Sequence, residues 1–397
     1  MPVHRETPLK THRLALAVAL AALASPSWAD CGGDFADFVR ALKAEAVTGG
    51  IDPDAADNFL ARAAIDKKVL SADRAQGVFR KSFIDFSRSV ISQSRIDNGA
   101  RNARKFADLF DRIERETGVS RGVLLAFWAL ETDYGQVQGT FNTRNALVTL
   151  AHDCRRPALF RPQILAAMKL TERGDFDPDG TTGAWAGEIG MVQMLPADIL
   201  ENGVDGDGDG HVRLKTSAPD ALASGGKMLR SLGWQAGQPW LQEIVVPPDL
   251  DWSKTGLNTE LPVSDWAAMG VRARSGRLAG GKASVLLPMG RKGPAFLAYP
   301  NFRVFFEWNQ SFVYVTTAAY FATRLEGAPA YDPGKPEPGL DGDGMKRLQQ
   351  KLAARGYDVG KVDGILGEKT REAVQAEQER LGLPADAWPT AELLGRL

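Results

Sequence analysis

Three stretches of this chain set chemistry-bearing residues at informative spacings. The first is "VLLAFWALETDYG" (123–135), where Glu131 closes an apolar helical run. On a helix Glu131 falls in line with Trp128 and Phe127, three and four positions back, and with Leu124 two turns back. Such a carboxyl either faces solvent at a frayed helix end or stands at the mouth of an apolar cleft. In the second case desolvation raises its pKa, and it can hold a proton near neutral pH, as a general acid must. Glutamate is rarely buried unpaired, so on its own the residue favours solvent.

The second stretch is "GAWAGEIGMVQMLPADIL" (183–200). Gly187 and Gly190 allow close backbone approach, Gln193 is polar between Met191 and Met194, and Glu188 adds a second carboxylate. Gln193 and Glu188 could equally cap the short helix that Pro196 opens. The third is "DGDGDGHVRL" (205–214), which follows the start of a calcium loop. Asp205, Asp207 and Asp209 would offer oxygens at positions one, three and five, and the His211 carbonyl a fourth at seven. Thr216 holds the place of the usual bidentate glutamate, and Asp220 is near enough to replace it in a longer loop. The plainer alternative is an Asp/Gly-rich surface turn. His152 and His211 have no catalytic company, and no Ser/His/Asp or Cys/His set supports nucleophilic chemistry.

These residues need a mostly helical frame. Helical patterns run from Asp34 to about Leu232, with Asp52-Pro53 as a cap and first turn. Ser120 is placed to cap the Glu131 helix, "ARNARKFADLFDRIERETG" runs to Gly118, "RPQILAAMKLTERG" to Gly174 and "SAPDALASGGKMLRSLG" to Gly233. "LQEIVV", "ASVLLPM", "AFLAY" and "FRVFFEW" read as short strands of a small sheet, and helix returns in "VYVTTAAYFATRL". "EGAPAYDPGKPEPG" reads as a linker with no means of forming a core, and its following "DGDG" (341–344) as a plain turn. The last unit, about sixty residues, is of a size that folds alone only marginally.

A formal net charge of −1 and the lack of a basic stripe exclude electrostatic capture of nucleic acid. The opening thirty or so residues have a basic start, an apolar run from Leu14 to Ala24 and Ser27-Trp28-Ala29, which predicts a secretory leader cut after Ala29. The apolar run is short for a membrane span, and no later one exists. Cutting removes Arg5, Lys10 and Arg13 against Glu6, leaving a mildly acidic mature chain. Trp28 and Asp30 both break a lipidation signal at Cys31, so anchoring there is not expected. Cys31 and Cys154, the two cysteines present, are expected to pair in an oxidising compartment.

Together "ETDYG", "AGEIGMVQMLP", the Asp-rich loop with "PDALAS…LGW", and "NFRVFFEWNQSFVY" resemble the lytic murein transglycosylases of the membrane-bound B type. The C-terminal unit separately resembles a peptidoglycan-binding repeat domain, through "LQQKLAARGY", "VDGILGEKT" and "AVQAEQERLGL". The resemblance implies an α+β, mainly α fold: a lysozyme-like catalytic domain (30–325) with a β-rich insertion at about 240–307. A linker (326–340) and a small three-helix binding domain (341–397) would follow.

It further implies that Glu131 is the single acid and base, protonating the glycosidic oxygen that leaves N-acetylmuramic acid. The sugar's acetamido group then supports the oxocarbenium-like centre, and Glu131 deprotonates the 6-hydroxyl to close a 1,6-anhydro ring. By the same resemblance Gln193 faces the scissile subsite, Asn309 and Tyr314 orient sugars, and Arg155 and Arg156 match an arginine pair. Trp308 stands where tyrosine is usual, as a sugar platform or as core. Ala184 replaces a serine that would bond the acid, Met228 a tyrosine, and Glu188 a small residue. Glu188 could therefore position water, giving a hydrolytic muramidase; a non-catalytic wall-binding scaffold is the other alternative. No cofactor is needed for the chemistry, and a structural Ca2+ (or Na+) would sit in the 205–220 loop. The expected setting is a periplasmic monomer acting on glycan strands, alongside other periplasmic cell-wall enzymes.

Overall fold

The computed structural model describes residues 31–75 and 81–397; the expected leader, 1–29, lies outside them. Four helices open the chain: α1 (Phe35–Thr48), α2 (Pro53–Leu60), α3 (Lys67–Arg74) and α4 (Phe83–Val90). Each begins at an Asp or Ser whose side-chain oxygen accepts from first-turn amides, namely Asp34, Asp52, Asp66 and Ser82. The single helix expected to run to Gly118 is instead two, α5 (Gln93–Lys105) and α6 (Ala107–Thr117). The break falls at Phe106 (φ −113°, ψ 30°), whose ring leaves the helix line to pack 5.9 Å from that of Trp128.

The centre of the molecule is α7 (Arg121–Thr132), buried at every residue from Gly122 to Ala129. A helix that is apolar all round belongs in a core. Ser120 occupies its N-cap position, but the hydroxyl makes no capping bond. Against α7 pack α5, α6 and α11 (Ala218–Ser231), while α8 (Thr143–His152) and α10 (Pro196–Asn202) both pack on α9 (Pro157–Glu172). A two-residue ribbon, β1 (Phe141–Asn142) with β2 (Thr182–Gly183), ties the start of α8 to the glycine-rich loop that follows β2.

The insertion is one antiparallel sheet of β3 (Leu241–Val245), β4 (Leu261–Pro262), β5 (Arg272–Ala273), β6 (Lys282–Leu286) and β7 (Ala295–Ala298), in the order β4-β6-β7-β3-β5. Its side chains alternate between two cores, as a strand's period of two requires. Val285 and its partner Leu297 pack with Trp266, on α12 (Val263–Ala268), and with Tyr299, while Leu286 and Phe296 enter the main core. The expected last strand, "FRVFFEW", is helix: α13 (Pro300–Trp308). Pro300 in the first turn pre-sets the helical φ, and Phe302 and Phe305 bury at i, i+3. Next, α14 (Phe312–Leu325) packs more extensively on α7 than any other helix does.

At the C-terminus α15 (Gly342–Ala354), α16 (Glu368–Arg380) and α17 (Ala391–Arg396) enclose a core of Leu348, Leu352, Val374 and Leu393. The expected plain turn at 341–344 is the start of α15: Asp341 is its N-cap and accepts from the Gly344 amide at 2.7 Å.

The linker differs from expectation. Tyr331 packs edge-on to Tyr320 at 4.8 Å and tilted against Phe83 at 5.3 Å, with its hydroxyl 2.9 Å from that of Ser87. Lys335 N–H donates to the Lys292 carbonyl at 2.8 Å, and Glu337 pairs with Arg291 and Lys292. One aromatic side chain and a few ion pairs thus strap down a segment whose Pro/Gly composition reads as spacer. The C-terminal domain is docked in turn. Asp386 pairs with Arg291, and Gln375 donates to the Trp252 and Thr255 carbonyls.

Candidate active site

Glu131 lies one residue from the end of α7, where two consecutive non-glycine residues in the left-handed region, Asp133 (φ 51°) and Tyr134 (φ 60°), turn the chain away. That turn is held rather than frayed. Thr132 Oγ1 donates to the Met191 carbonyl at 2.6 Å and accepts from the Gly135 amide at 2.9 Å, while Arg95 pairs with Asp133 at 3.0 Å. Glu131 is partly buried at this held turn rather than standing free at a frayed helix end.

Two donors reach its carboxylate from the corner between α13 and α14. The Trp308 indole N–H donates to Glu131 Oε1 at 3.1 Å, and the Tyr314 hydroxyl donates to the same oxygen. Both of these donors meet Oε1, and neither reaches Oε2. Burial pushes the Glu131 pKa up; the bonds from Tyr314 and then Trp308 oppose that, and the Glu188 carboxylate adds to the rise. Burial also drives the Tyr314 phenol well above its ordinary value, with Glu131 adding to the rise, so it remains a donor.

Trp308 is only partly buried. One face stacks on Phe127, with centroids 4.3 Å apart and planes at 26°, so the ring joins the core while its N–H serves the acid. Asn309 caps the corner, its Oδ1 accepting from Ser311 N–H at 2.9 Å. The bonds to this carboxyl thus come from an indole and a phenol far along the chain, not from position 184. Neighbour spacing carried no signal for the Trp308 bond, because the partners are 177 residues apart.

The loop after β2 supplies Gln193 and Glu188. Gln193 adopts φ 53°, and its amide donates to the Gly190 carbonyl at 2.8 Å. Neither it nor Glu188 caps α10, whose N-cap position is Leu195 with no side-chain capping bond. Gly187 and Gly190 must be glycine: a Cβ there would meet Leu147 at 2.3 Å and Leu214 at 2.5 Å, and both have positive φ. Glu188 is partly buried, and its Oε2 has no hydrogen-bond partner among the described residues. Burial raises its pKa, opposed by bonds from backbone amides and by the charge of Arg156. Arg155 and Arg156 both bond Asp73, which is 1% exposed, so this buried acid fixes the arginine pair. Asp73 went unsuspected in the sequence, where it is one polar residue of a polar helix.

The acidic loop gathers Asp205, Asp207 and Asp209, with ligand oxygens all within 4.8 Å of one another. Three hard oxygens at this spacing suit Ca2+. Asp220 is no member of the trio. It is fully buried, Oδ1 accepting from Gly206 N–H at 2.9 Å and Oδ2 from Arg213 N–H at 2.7 Å, so it staples the loop. The His211 ring turns away, Nδ1 lying 3.2 Å from Asp175. A hollow of about 410 Å³ joins this loop to the turn after Glu131, lined by Trp128, Tyr134 and Met191 on one side and by Asp207 and Ser217 on the other. Cys31 and Cys154 form a disulfide with Cα atoms 5.0 Å apart, beside the arginine pair.

Residues 34–323 match the family described as "Transglycosylase SLT domain", and residues 341–397 match "Putative peptidoglycan binding domain". The membrane-bound lytic murein transglycosylase B of Escherichia coli K12 is 24% identical over 232 residues, 58% of this chain and 63% of that protein's length. Among solved structures, SltB3 from Pseudomonas aeruginosa in complex with NAG-anhNAM-pentapeptide is 35% identical. It covers 92% of this chain and 99% of its own, with a TM-score of 0.84. The E. coli lytic transglycosylase Slt35 in complex with calcium is 24% identical over 77% of this chain and 98% of its own. Its TM-score of 0.63 shows a shared fold alone.

Proposed function

Because the chain belongs to the SLT transglycosylase family and carries a peptidoglycan-binding domain, we propose that it cleaves the glycan strands of peptidoglycan without water. The bond broken is the β-1,4 link between N-acetylmuramic acid and N-acetylglucosamine. Glu131 Oε2 gives its proton to the glycosidic oxygen as that bond breaks, and the muramyl acetamido oxygen supports the positive charge at C1. The Glu131 carboxylate, still held through Oε1 by Tyr314 and Trp308, then takes the proton of the 6-hydroxyl. That oxygen bonds C1 and closes the 1,6-anhydro ring, returning Glu131 to its starting state.

The observation that carries this reading is one buried carboxyl with both donors on a single oxygen. Burial favours the protonated form that the first half-reaction needs, and the two donors stabilise the anion needed in the second. The support for a rival hydrolysis is Glu188, whose partnerless Oε2 could hold a water. Mass spectrometry of digested sacculi separates them. Anhydro ends lack the mass of one water relative to reducing ends, and a digest ending wholly in reducing sugar would refute the transglycosylase mechanism.

All these groups come from one chain, so a monomer suffices. Asp205, Asp207 and Asp209 would hold a structural Ca2+, which neutralises their mutual repulsion and takes no part in bond breaking. Action on the wall and the basic-apolar leader support export to the periplasm. No helix among the described residues is long and apolar enough to cross a membrane.

A further inference from the structure

The corner that supplies both donors to Glu131 is gripped from its far side by the C-terminal domain. Trp308 ends α13, Phe312 begins α14, and Tyr314 follows two residues later. Three residues join the helices, pinned by the Asn309 bond to Ser311 and by the Ser311 side chain accepting from Tyr314 N–H at 3.4 Å. Phe312 is 5% exposed, and part of what covers it is Arg371 on α16, its guanidinium 4.2 Å from the ring centroid. Arg371 is itself buried. It donates to the Pro288 carbonyl at 2.9 Å and the Leu287 carbonyl at 3.5 Å, beyond the end of β6, and lies 6.0 Å from the Trp388 ring. One cation therefore touches the binding domain, the sheet and the helix start that carries Tyr314.

We infer that Arg371 is a positioning residue for the reaction: through Phe312 it fixes the corner that delivers Tyr314 and Trp308 to Glu131, making the C-terminal domain a working part of the catalytic site. A tether needs no such contact, since it acts by local concentration alone. The guanidinium keeps its charge at neutral pH although burial pulls its pKa down to about 9, because Asp386 lies nearby. A cation desolvated over an aromatic face holds that ring firmly. Displacing a catalytic group by about 1 Å can cost about a hundredfold in rate, so a loosened corner is felt in turnover.

The inference rests on Glu131 being the acid, so wild type and Glu131→Gln are assayed first on soluble, uncross-linked glycan strands. Wild-type anhydro product that Glu131→Gln lacks secures that reading; its failure appears there, before Arg371 is touched. Full-length Arg371→Leu is then expected to lose about tenfold or more in kcat, with sacculus binding and helical content kept. The basic limb of its kcat–pH profile should also move to higher pH. The groups facing Glu131 are Tyr314, Trp308 and Glu188, and a retreating Tyr314 removes the largest influence that lowers its pKa. Arg371→Lys should recover part of the rate. The Arg371→Leu/Tyr314→Phe double variant should show no further shift, because coupled residues are non-additive. If Arg371→Leu does not fold, Phe312→Leu replaces it, with the same loss and the same limb shift expected. Wild-type kcat and limb in a folded variant, or a lower rate with an unmoved limb, would overturn the inference.

Discussion

Glu131→Gln is close to isosteric. The amide oxygen can still accept from Trp308 and Tyr314, as Oε1 does now, so the corner and α7 should stay in place. What disappears is the ionisable proton on the second oxygen. Positioned acid–base groups contribute about 10²–10⁴-fold, and in the proposed mechanism one group serves both half-reactions. A fall of about 10³-fold in kcat is therefore expected, about 4 kcal/mol of barrier. The variant should also gain stability, with a defined pH dependence. Burial holds the folded pKa above the ordinary 4.5, so the native state keeps this proton longer than the unfolded chain does. Below the unfolded value the carboxyl costs nothing. As pH climbs through the folded value, wild type gives up about 1.4 kcal/mol per unit of elevation. Glutamine cannot ionise, so the two melting curves should coincide in acid and separate toward neutrality. Released muropeptides measured by chromatography, and calorimetry across pH, test both parts. Several per cent residual turnover, or a stability difference independent of pH, would refute the reasoning.

Three further outcomes are expected. Glu188→Gln should move the basic limb of the kcat–pH profile to lower pH, because its carboxylate helps raise the Glu131 pKa, while the digest still ends in anhydro sugar. A chelator should lower the melting temperature of wild type but not of Asp207→Asn, and Ca2+ at a hundred times its Kd should restore about 2.7 kcal/mol. A calorimetric melt insensitive to both removes the ion. Replacing Cys31 and Cys154 by serine opens a link spanning 123 residues, worth about 4–5 kcal/mol by chain entropy. Denaturant midpoints should fall accordingly, with turnover at low temperature kept.

What the sequence disclosed was local. Glu131, the glycine-rich loop and the three aspartates each sit in one short stretch with its own pattern. The frame of helices around α7 followed from apolar periodicity and capping residues. What it hid was set by distant partners. Nothing near Trp308 predicts that its N–H reaches Glu131, and nothing near Asp73 predicts two arginines. By composition the aromatic run 302–308 suits a strand, yet Pro300 marks a helix start. A break at Phe106 is invisible in a pattern that stays amphipathic on both sides. The linker misled for the same reason as Trp308: Tyr331 matters only because Phe83 and Tyr320 wait for it.

The Cys31–Cys154 bond bears on what else the first cysteine can carry. A sulfur joined to Cys154 cannot also form the thioether by which a diacylglycerol would be attached. While that bond stands, Cys31 is closed to lipid attachment, and only its reduction would free the sulfur for it.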